Sequence, residues 1–151
     1  MSKKVILEYD GASKGNPGRS GAGGVLKSES GAEIARFREG LGHGTNNAAE
    51  YAALNRGMKT ALDMGYDQIH VRGDSQLVHN QVQGHWKTRN ENMSRYCSEA
   101  QQLGSQFKSF DMEHVPRGYN TAADSEANKA VNLPPGHVET EGGPYGYGGR
   151  Y

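Results

Sequence analysis

Residues 4–41, KVILEYDGASKGNPGRSGAGGVLKSESGAEIARFREGL, decide the fold. Lys4 to Tyr9 is rich in Val, Ile, Leu and Tyr and stops at Asp10-Gly11, the composition of a buried strand closed by a turn. Short apolar stretches from Gly21 to Lys27 and from Glu33 to Leu41 flank Ser28-Glu29-Ser30-Gly31, as two strands joined in a hairpin do. Three antiparallel strands are expected over this stretch.

Beyond it the apolar period changes. Tyr51, Leu54, Met58, Ala61, Leu62 and Gly65 recur at three- and four-residue steps, which predicts an amphipathic helix capped by Thr45 or Asn46 and ended by Gly65. Residues 67–73 (DQIHVRG) predict a fourth strand, followed by helices near 75–82 and 89–106. A strand over about 110–116, stopped by Pro116, and a helix from Thr121 to Val131 complete the order βββαβααβα. That order predicts an α/β fold with a five-stranded mixed sheet flanked by helices, formed by residues 1–133 as one domain. Residues 134–151, PPGHVETEGGPYGYGGRY, are dense in Gly, Pro and Tyr without apolar periodicity and read as a disordered tail.

The composition removes several function classes. A chain of 151 residues has room for one core. Its 17 basic residues equal its 17 acidic ones, so no global field attracts a polyanion or an acidic membrane, and any nucleic-acid contact must come from local patches. The lone cysteine, Cys97, excludes an intrachain disulfide and suits an intracellular home in cytoplasm, nucleus or an organelle. No signal-peptide core and no apolar run of spanning length is present, so no membrane partner is expected. The six histidines and Cys97 lack a four-ligand zinc spacing. GASKGNPG lacks the Gly-Lys-Ser/Thr of a P-loop, and GAGGVL lacks the third glycine of a dinucleotide fingerprint. The glycines are read instead as positive-φ turns that let a nucleic-acid backbone come close, with Gly11, Gly15 and Gly18 flanking Ser13 and Asn16.

Four acidic residues sit at element ends that such a fold brings together: Asp10, Glu50, Asp74 and Asp124. Singly, each has a structural explanation. Glu50 and Asp124 suit the positive end of a helix dipole, and Asp74 suits an N-cap. Jointly they form a like-charge cluster that raises its own pKa values unless a cation neutralises it. Hard oxygen ligands suit Mg²⁺, completed by water and substrate phosphate oxygens. Two such ions about 3.5–4 Å apart can drive an in-line phosphodiester displacement. Hydrolysis of a nucleic-acid backbone is the reaction this chemistry favours.

DGASKGNPG (10–18), TNNAAEYAAL (45–54), GDSQLV (73–78) and HVPRGYNTAAD (114–124) resemble ribonuclease H of the type 1 class, in order and spacing from Val5 to Leu133. The resemblance implies a ribonuclease H-like fold in a monomer that cuts the RNA strand of an RNA/DNA hybrid, leaving 5′-phosphate and 3′-hydroxyl ends. It implies that Asp10, Glu50, Asp74 and Asp124 are catalytic and bind two Mg²⁺ or Mn²⁺ ions with substrate present. Asn16, Asn46, Asn47 and Gln76 match the family's minor-groove contacts, and Thr45 part of its pocket for a DNA-strand phosphate. Amide side chains can both donate and accept at a ribose 2′-hydroxyl, the group that separates RNA from DNA. On the residues alone, Asn46 serves equally as a helix cap and Asn16 as part of an Asn-Pro turn.

Trp86, with Lys87 and Arg89, makes a small basic and aromatic spot suited to supporting the DNA strand, or a core tryptophan. Some family members carry a histidine in the loop before the last carboxylate. Here that loop reads Arg117-Gly118-Tyr119-Asn120, His114 falls further back on the strand, and Arg117 is the candidate substitute as a phosphate contact. No protein partner is inferable. The rivals are another nuclease on the same fold and a non-catalytic hybrid-binding protein, the latter having no use for four carboxylates that would repel its ligand.

Overall fold

The Val-, Ile- and Leu-rich run does form the centre of a sheet, although the strand does not stop where the glycine suggested. The computed structural model describes residues 3–145, in which β1 runs Lys4–Lys14, β2 Gly18–Lys27 and β3 Glu33–Gly44. β1 continues through Asp10-Gly11 because β2 keeps pairing with it, from Asp10 opposite Gly23 to Lys14 opposite Arg19. The reversal comes at Gly15-Asn16-Pro17, where Gly15 has φ +95°. Asp10 is thus mid-strand.

Helix α1 (Asn46–Asp63) leads to β4 (Gln68–Gly73), and α2 (Gln76–Val82) and α3 (Glu91–Ser105) lead on to β5 (Ser109–His114). Helix α4 (Thr121–Ala130) and a sixth strand, β6 (Val138–Gly142), follow. The sheet order is β5-β4-β1-β2-β3-β6, parallel across β5/β4/β1 and antiparallel elsewhere. Parallel partners need long crossovers, which the helices supply. β4 pairs with β1 as far as Glu8 opposite Arg72, so Asp10 stands just past the point where that pairing ends.

Alternate residues of β1 face opposite sides of the sheet. A Cβ built on Gly11 would lie 2.4 Å from the backbone of Ala49 and Glu50, and one on Gly57 would strike Leu7, so Leu7, Tyr9 and Gly11 meet α1. Cβ atoms on Gly21 and Gly23 would lie 2.5 and 2.4 Å from the backbone of α4 and the residue after it, which places α4 on the other face, with Asp10. The core under α1 gathers Val5, Leu7, Tyr9, Phe37, Tyr51, Leu54, Met58, Ile69 and Val71, all essentially sealed from solvent. Among the described residues, no helix is long and apolar enough to cross a membrane.

Two expectations need correction. The sheet has six strands rather than five, and the extra one lies in the stretch read as a disordered tail. Gly- and Pro-rich composition hid a short strand whose inward residue is charged: Val138–Gly142 pairs antiparallel with β3, from Ala35 opposite Gly142 to Glu39 opposite Val138. Glu139 meets the buried Arg38 at 3.2 Å, and Glu141 lies 3.5 Å from the same guanidinium. Arg38 also donates to Glu126 of α4, so one arginine ties β3, β6 and α4 together. Residues 146–151 of the same expected tail lie outside the described residues.

Truncation after Leu133 therefore leaves Arg38 buried with fewer partners and strips one edge of the sheet. We expect it to cost roughly 2–4 kcal/mol, read from the urea unfolding midpoint. An unchanged midpoint would show that β6 adds nothing to the fold.

Candidate active site

The end of β1/β4 pairing, the first turn of α1 and the first turn of α4 open onto one cavity of about 460 Å³. Asp10, Glu50 and Asp74 bring their carboxylate oxygens within 4.8 Å of one another there. Asp124 lines the same cavity, and its charge is felt at Asp10. Asp10 and Glu50 are only 5% and 6% exposed, while Asp74 and Asp124 are half-buried at the cavity wall.

Each carboxylate reaches the cavity because another group does the structural work nearby. Thr45, not Asn46, caps α1 by accepting from the Ala48 amide at 3.1 Å. Ser75 caps α2 by accepting from the Val78 amide at 3.2 Å, which leaves the Asp74 side chain free of capping duty. The Gly11 amide donates to Glu50 Oε1 and orients that carboxyl toward β1. Asn120, fully buried, donates from Nδ2 to the Tyr9 carbonyl at 2.8 Å, while its own carbonyl accepts from the Asp124 amide at 3.0 Å. The start of α4 is thereby anchored to the residue before Asp10.

Burial lifts the Asp10 carboxyl from its ordinary 3.8 to about 6, with the charges of Asp74 and Asp124 adding. Burial also lifts Glu50 well above the carboxylate range, and its contact with the Asp10 carboxyl adds. Among the described residues, none of the four carboxylates is in an ion pair with Lys or Arg. Arg117 is the single Lys or Arg lining the cavity. A set of hard, crowded oxygens without an internal counter-cation has the chemistry of a divalent-metal site.

Of the expected substrate contacts, Asn46, Asn47 and Arg117 line this cavity. Asn16 stands beside it, its Oδ1 accepting from the Asn46 amide at 3.0 Å, so it bridges the β1–β2 turn to α1 in addition to shaping the turn. Gln76 is exposed on the first residue of α2, next to Ser75 of the lining. Trp86 is not in the core and does not line the carboxylate cavity: it is 46% exposed and lines a separate hollow with Leu77, His85, Lys87, Thr88 and Arg89.

Sequence reasoning missed three participants. His114 does end β5, yet it lines the cavity and its Nε2 lies 3.2 Å from the Asp74 carbonyl. The parallel register that sets Gly73 opposite His114 produces that closeness, and no spacing along the chain reveals it. Asn128 lines the wall one helical turn after Asp124, a spacing that could have flagged it, and donates from Nδ2 to the Asp124 carbonyl at 2.9 Å. Asn120 carries no local signal. The reading of Gly11 is also corrected: its missing Cβ admits the backbone of α1, and only Gly15 of the three glycines named has positive φ.

Residues 8–130 match the family profile described as Reverse transcriptase-like. The chain is 43% identical over 129 residues to ribonuclease HI of Halobacterium salinarum, covering 85% of this chain and 65% of that protein. It spans 36% of the length of mycobacterial relatives at 39% identity. The crystal structure of RNase H1 from Halobacterium salinarum superposes with TM-score 0.84 at 42% identity, covering 86% of this chain and 98% of that one. The crystal structure of LC11-RNase H1 in complex with an RNA/DNA hybrid gives TM-score 0.80 at 30% identity, over 85% and 96%.

The raised pKa of Asp10 has a definite sign for stability. Between about pH 4 and 6 the folded chain holds a proton that the unfolded chain has lost, so stability of the metal-free protein falls as pH rises through that window. Asp10→Asn should flatten this fall and, in chelator at pH 7.5, raise stability by on the order of 1–3 kcal/mol. Urea titrations at pH 4.5 and 7.5 measure it. A variant with the wild-type pH slope would mean that the cluster is not strained.

Proposed function

Because the chain belongs to the ribonuclease H family, type 1 class, we propose that it is an endonuclease hydrolysing the RNA strand of RNA/DNA hybrids with divalent metal at Asp10, Glu50, Asp74 and Asp124. The observation that carries this reading is the convergence of two buried carboxylates, Asp10 and Glu50, and the half-buried Asp74 within 4.8 Å of one another, without a basic ion-pair partner among the described residues, in a cavity also lined by Arg117, Asn46 and Asn47. The donor set fits Mg²⁺ or Mn²⁺, two ions once substrate is bound. The chemistry supplied by such ions is activation of a water and stabilisation of the leaving oxygen.

The chain's own residues bind and orient. Water oxygen adds to phosphorus as the bond to the 3′ oxygen breaks, leaving a 3′-hydroxyl and a 5′-phosphate. The Gly11 amide and the Asn120 anchor hold Glu50 and Asp124 on opposite sides of Asp10. Arg117, with planar paired donors, contacts a phosphate of the scissile strand. Asn46 and Asn47 read the minor groove and the 2′-hydroxyl beside it, joined by Asn16 and Gln76 at the rim. Asn16 uses Oδ1 on the Asn46 amide, so its Nδ2 is the group left to donate. Thr45 accepts from Ala48 with its oxygen and keeps its O–H for a DNA-strand phosphate. Trp86, with Lys87 and Arg89, supports that strand further out.

The proposed roles all fall on residues of one chain, which supports reading the enzyme as a monomer. The single cysteine, buried and free, suits an intracellular compartment such as cytoplasm or nucleus. A different nuclease on the same fold is the reading that the next experiment separates.

Labelled hybrid, double-stranded RNA, single-stranded RNA and DNA are incubated with the chain in Mg²⁺ or in chelator. Only the RNA strand of the hybrid should be cut, only with metal, and 2′-methoxy substitution of the RNA should block the cut. Asp10→Asn should reduce cleavage by on the order of a hundredfold or more while the protein stays folded. Cutting of the DNA strand, or equal cutting of double-stranded RNA, would move the assignment to the rival nuclease.

A further inference from the structure

We infer that His114 is a positioning residue for Asp74, holding its main chain so that its carboxylate reaches the other two. This inference rests on the metal reading above. Asp10 and Glu50 are fixed by regular elements, since β1 pairs on through Asp10 and α1 carries Glu50 just past its first turn. Asp74 has no such support: β4 ends at Gly73, α2 begins at Gln76, and Ser75 between them serves as the cap. A carboxylate on an irregular link needs its backbone pinned if it is to keep a place in a cluster that repels it.

The structure supplies the pin. The first main-chain bond of α2 runs from the His79 amide to the Ser75 carbonyl, which leaves the Asp74 carbonyl outside the helix pattern. Among the described residues it is His114 Nε2, at 3.2 Å, that meets this carbonyl. A carbonyl only accepts, so Nε2 carries the hydrogen and donates. Register and packing place the ring. His114 lies opposite Gly73, the Val115 amide donates to the Gly73 carbonyl at 3.0 Å, and His79 of α2 packs edge-on to the His114 ring with centroids 6.2 Å apart. Holding the carbonyl restrains the rotation about the Cα–C bond of Asp74, and with it the direction in which the Cα–Cβ bond leaves the main chain toward the cavity. Groups that orient a metal ligand in this way commonly alter metal affinity by 10- to 100-fold, by about the same logic as a hydrogen bond to a ligating histidine.

The test is calorimetric titration of the full chain with Mn²⁺ at pH 7.5 in the absence of nucleic acid, with melting in chelator measured alongside. His114→Gln keeps a donor at nearly the same reach, whereas His114→Phe and His114→Met remove it with and without an aromatic ring. Phe and Met variants should bind Mn²⁺ about tenfold more weakly, and Gln should stay within about threefold of wild type. Melting in chelator should be alike for Gln and whichever donor-less variant folds best. Wild-type affinity in a folded donor-less variant overturns the inference and leaves the metal reading intact. A Gln variant as weak as Phe or Met also overturns it, because the donor would not be the property that matters. A wild-type chain that binds no Mn²⁺ removes the metal reading and this inference with it.

Discussion

The contact between the backbone of α1 and β1 at Gly11 is the constraint from which the rest of the site follows. The helix can lie close enough to put Glu50 beside Asp10 only because position 11 has no Cβ, which would fall 2.4 Å from the Ala49 and Glu50 backbone. Gly21 and Gly23 do the same for α4 on the opposite face. A close-packed interior does not yield gradually, so these approaches fix the helix positions rather than bias them. The carboxylates are thus held together by packing on both faces of the sheet, against a repulsion that would separate them on flexible loops. Burial of Leu7, Tyr51, Leu54 and Met58 under α1 offsets that repulsion.

Two acidic clusters in the same fold show what this arrangement leaves unsatisfied. Glu126, Glu139 and Glu141 gather near Arg36 and Arg38, with Arg38 donating to Glu126 and lying 3.2 Å from Glu139. That cluster carries its own cations and needs nothing from solution. Glu8, likewise buried, is closed by Lys27 at 3.1 Å and Arg72 at 2.9 Å. Asp10 and Glu50 are as buried as Glu8, with the half-buried Asp74 beside them, and have no such closure among the described residues. The difference lies in the neighbours and not in the acids. A chain with equal numbers of acidic and basic residues has spent its cations elsewhere on the sheet and left one group of carboxylates for an external charge.

The parts of this fold that were legible in the sequence are those set by local pattern. The alternating apolar run of β1, the 3.6 period of α1 and the Gly65 stop, at φ +88°, appear in the structure with small shifts in their bounds. The four carboxylates were singled out because their strings resemble a known family, and all four line one cavity although Asp10 lies mid-strand and not at an element end. The missed features are those created by pairing between distant segments. β6 is a strand because β3 offers it an edge and Arg38 offers its glutamates a charge, and neither fact lies within residues 138–142. β1 overran its glycine because β2 stayed in register across it. Asn120 reaches Tyr9 across 111 positions, and His114 reaches the Asp74 carbonyl across 40. Gly11 was read as serving a ligand, since a glycine that admits a helix looks the same in sequence as one that admits a phosphate.

The proposed substrate poses an electrostatic problem that the same geometry answers. A polyanion must approach a cavity whose walls carry four acidic side chains and one guanidinium. Long-range attraction cannot bring it there, because the chain is neutral overall. Recognition on the proposed reading therefore falls to short-range contacts: beside Arg117 stand uncharged donors, the amides of Asn46 and Asn47, the Asn16 amide braced on the Asn46 backbone, and the Thr45 hydroxyl. Such groups act only at contact and need an exact partner, such as a 2′-hydroxyl that both donates and accepts. On that reading, attraction between phosphate and site becomes favourable once divalent charge is in place, so bound metal prepares the site for nucleic acid. On the proposed reading, a site built this way discriminates by shape and hydrogen bonding first and commits to the phosphodiester only when the counter-charge is present, while packing on both faces of the sheet keeps its carboxylates crowded.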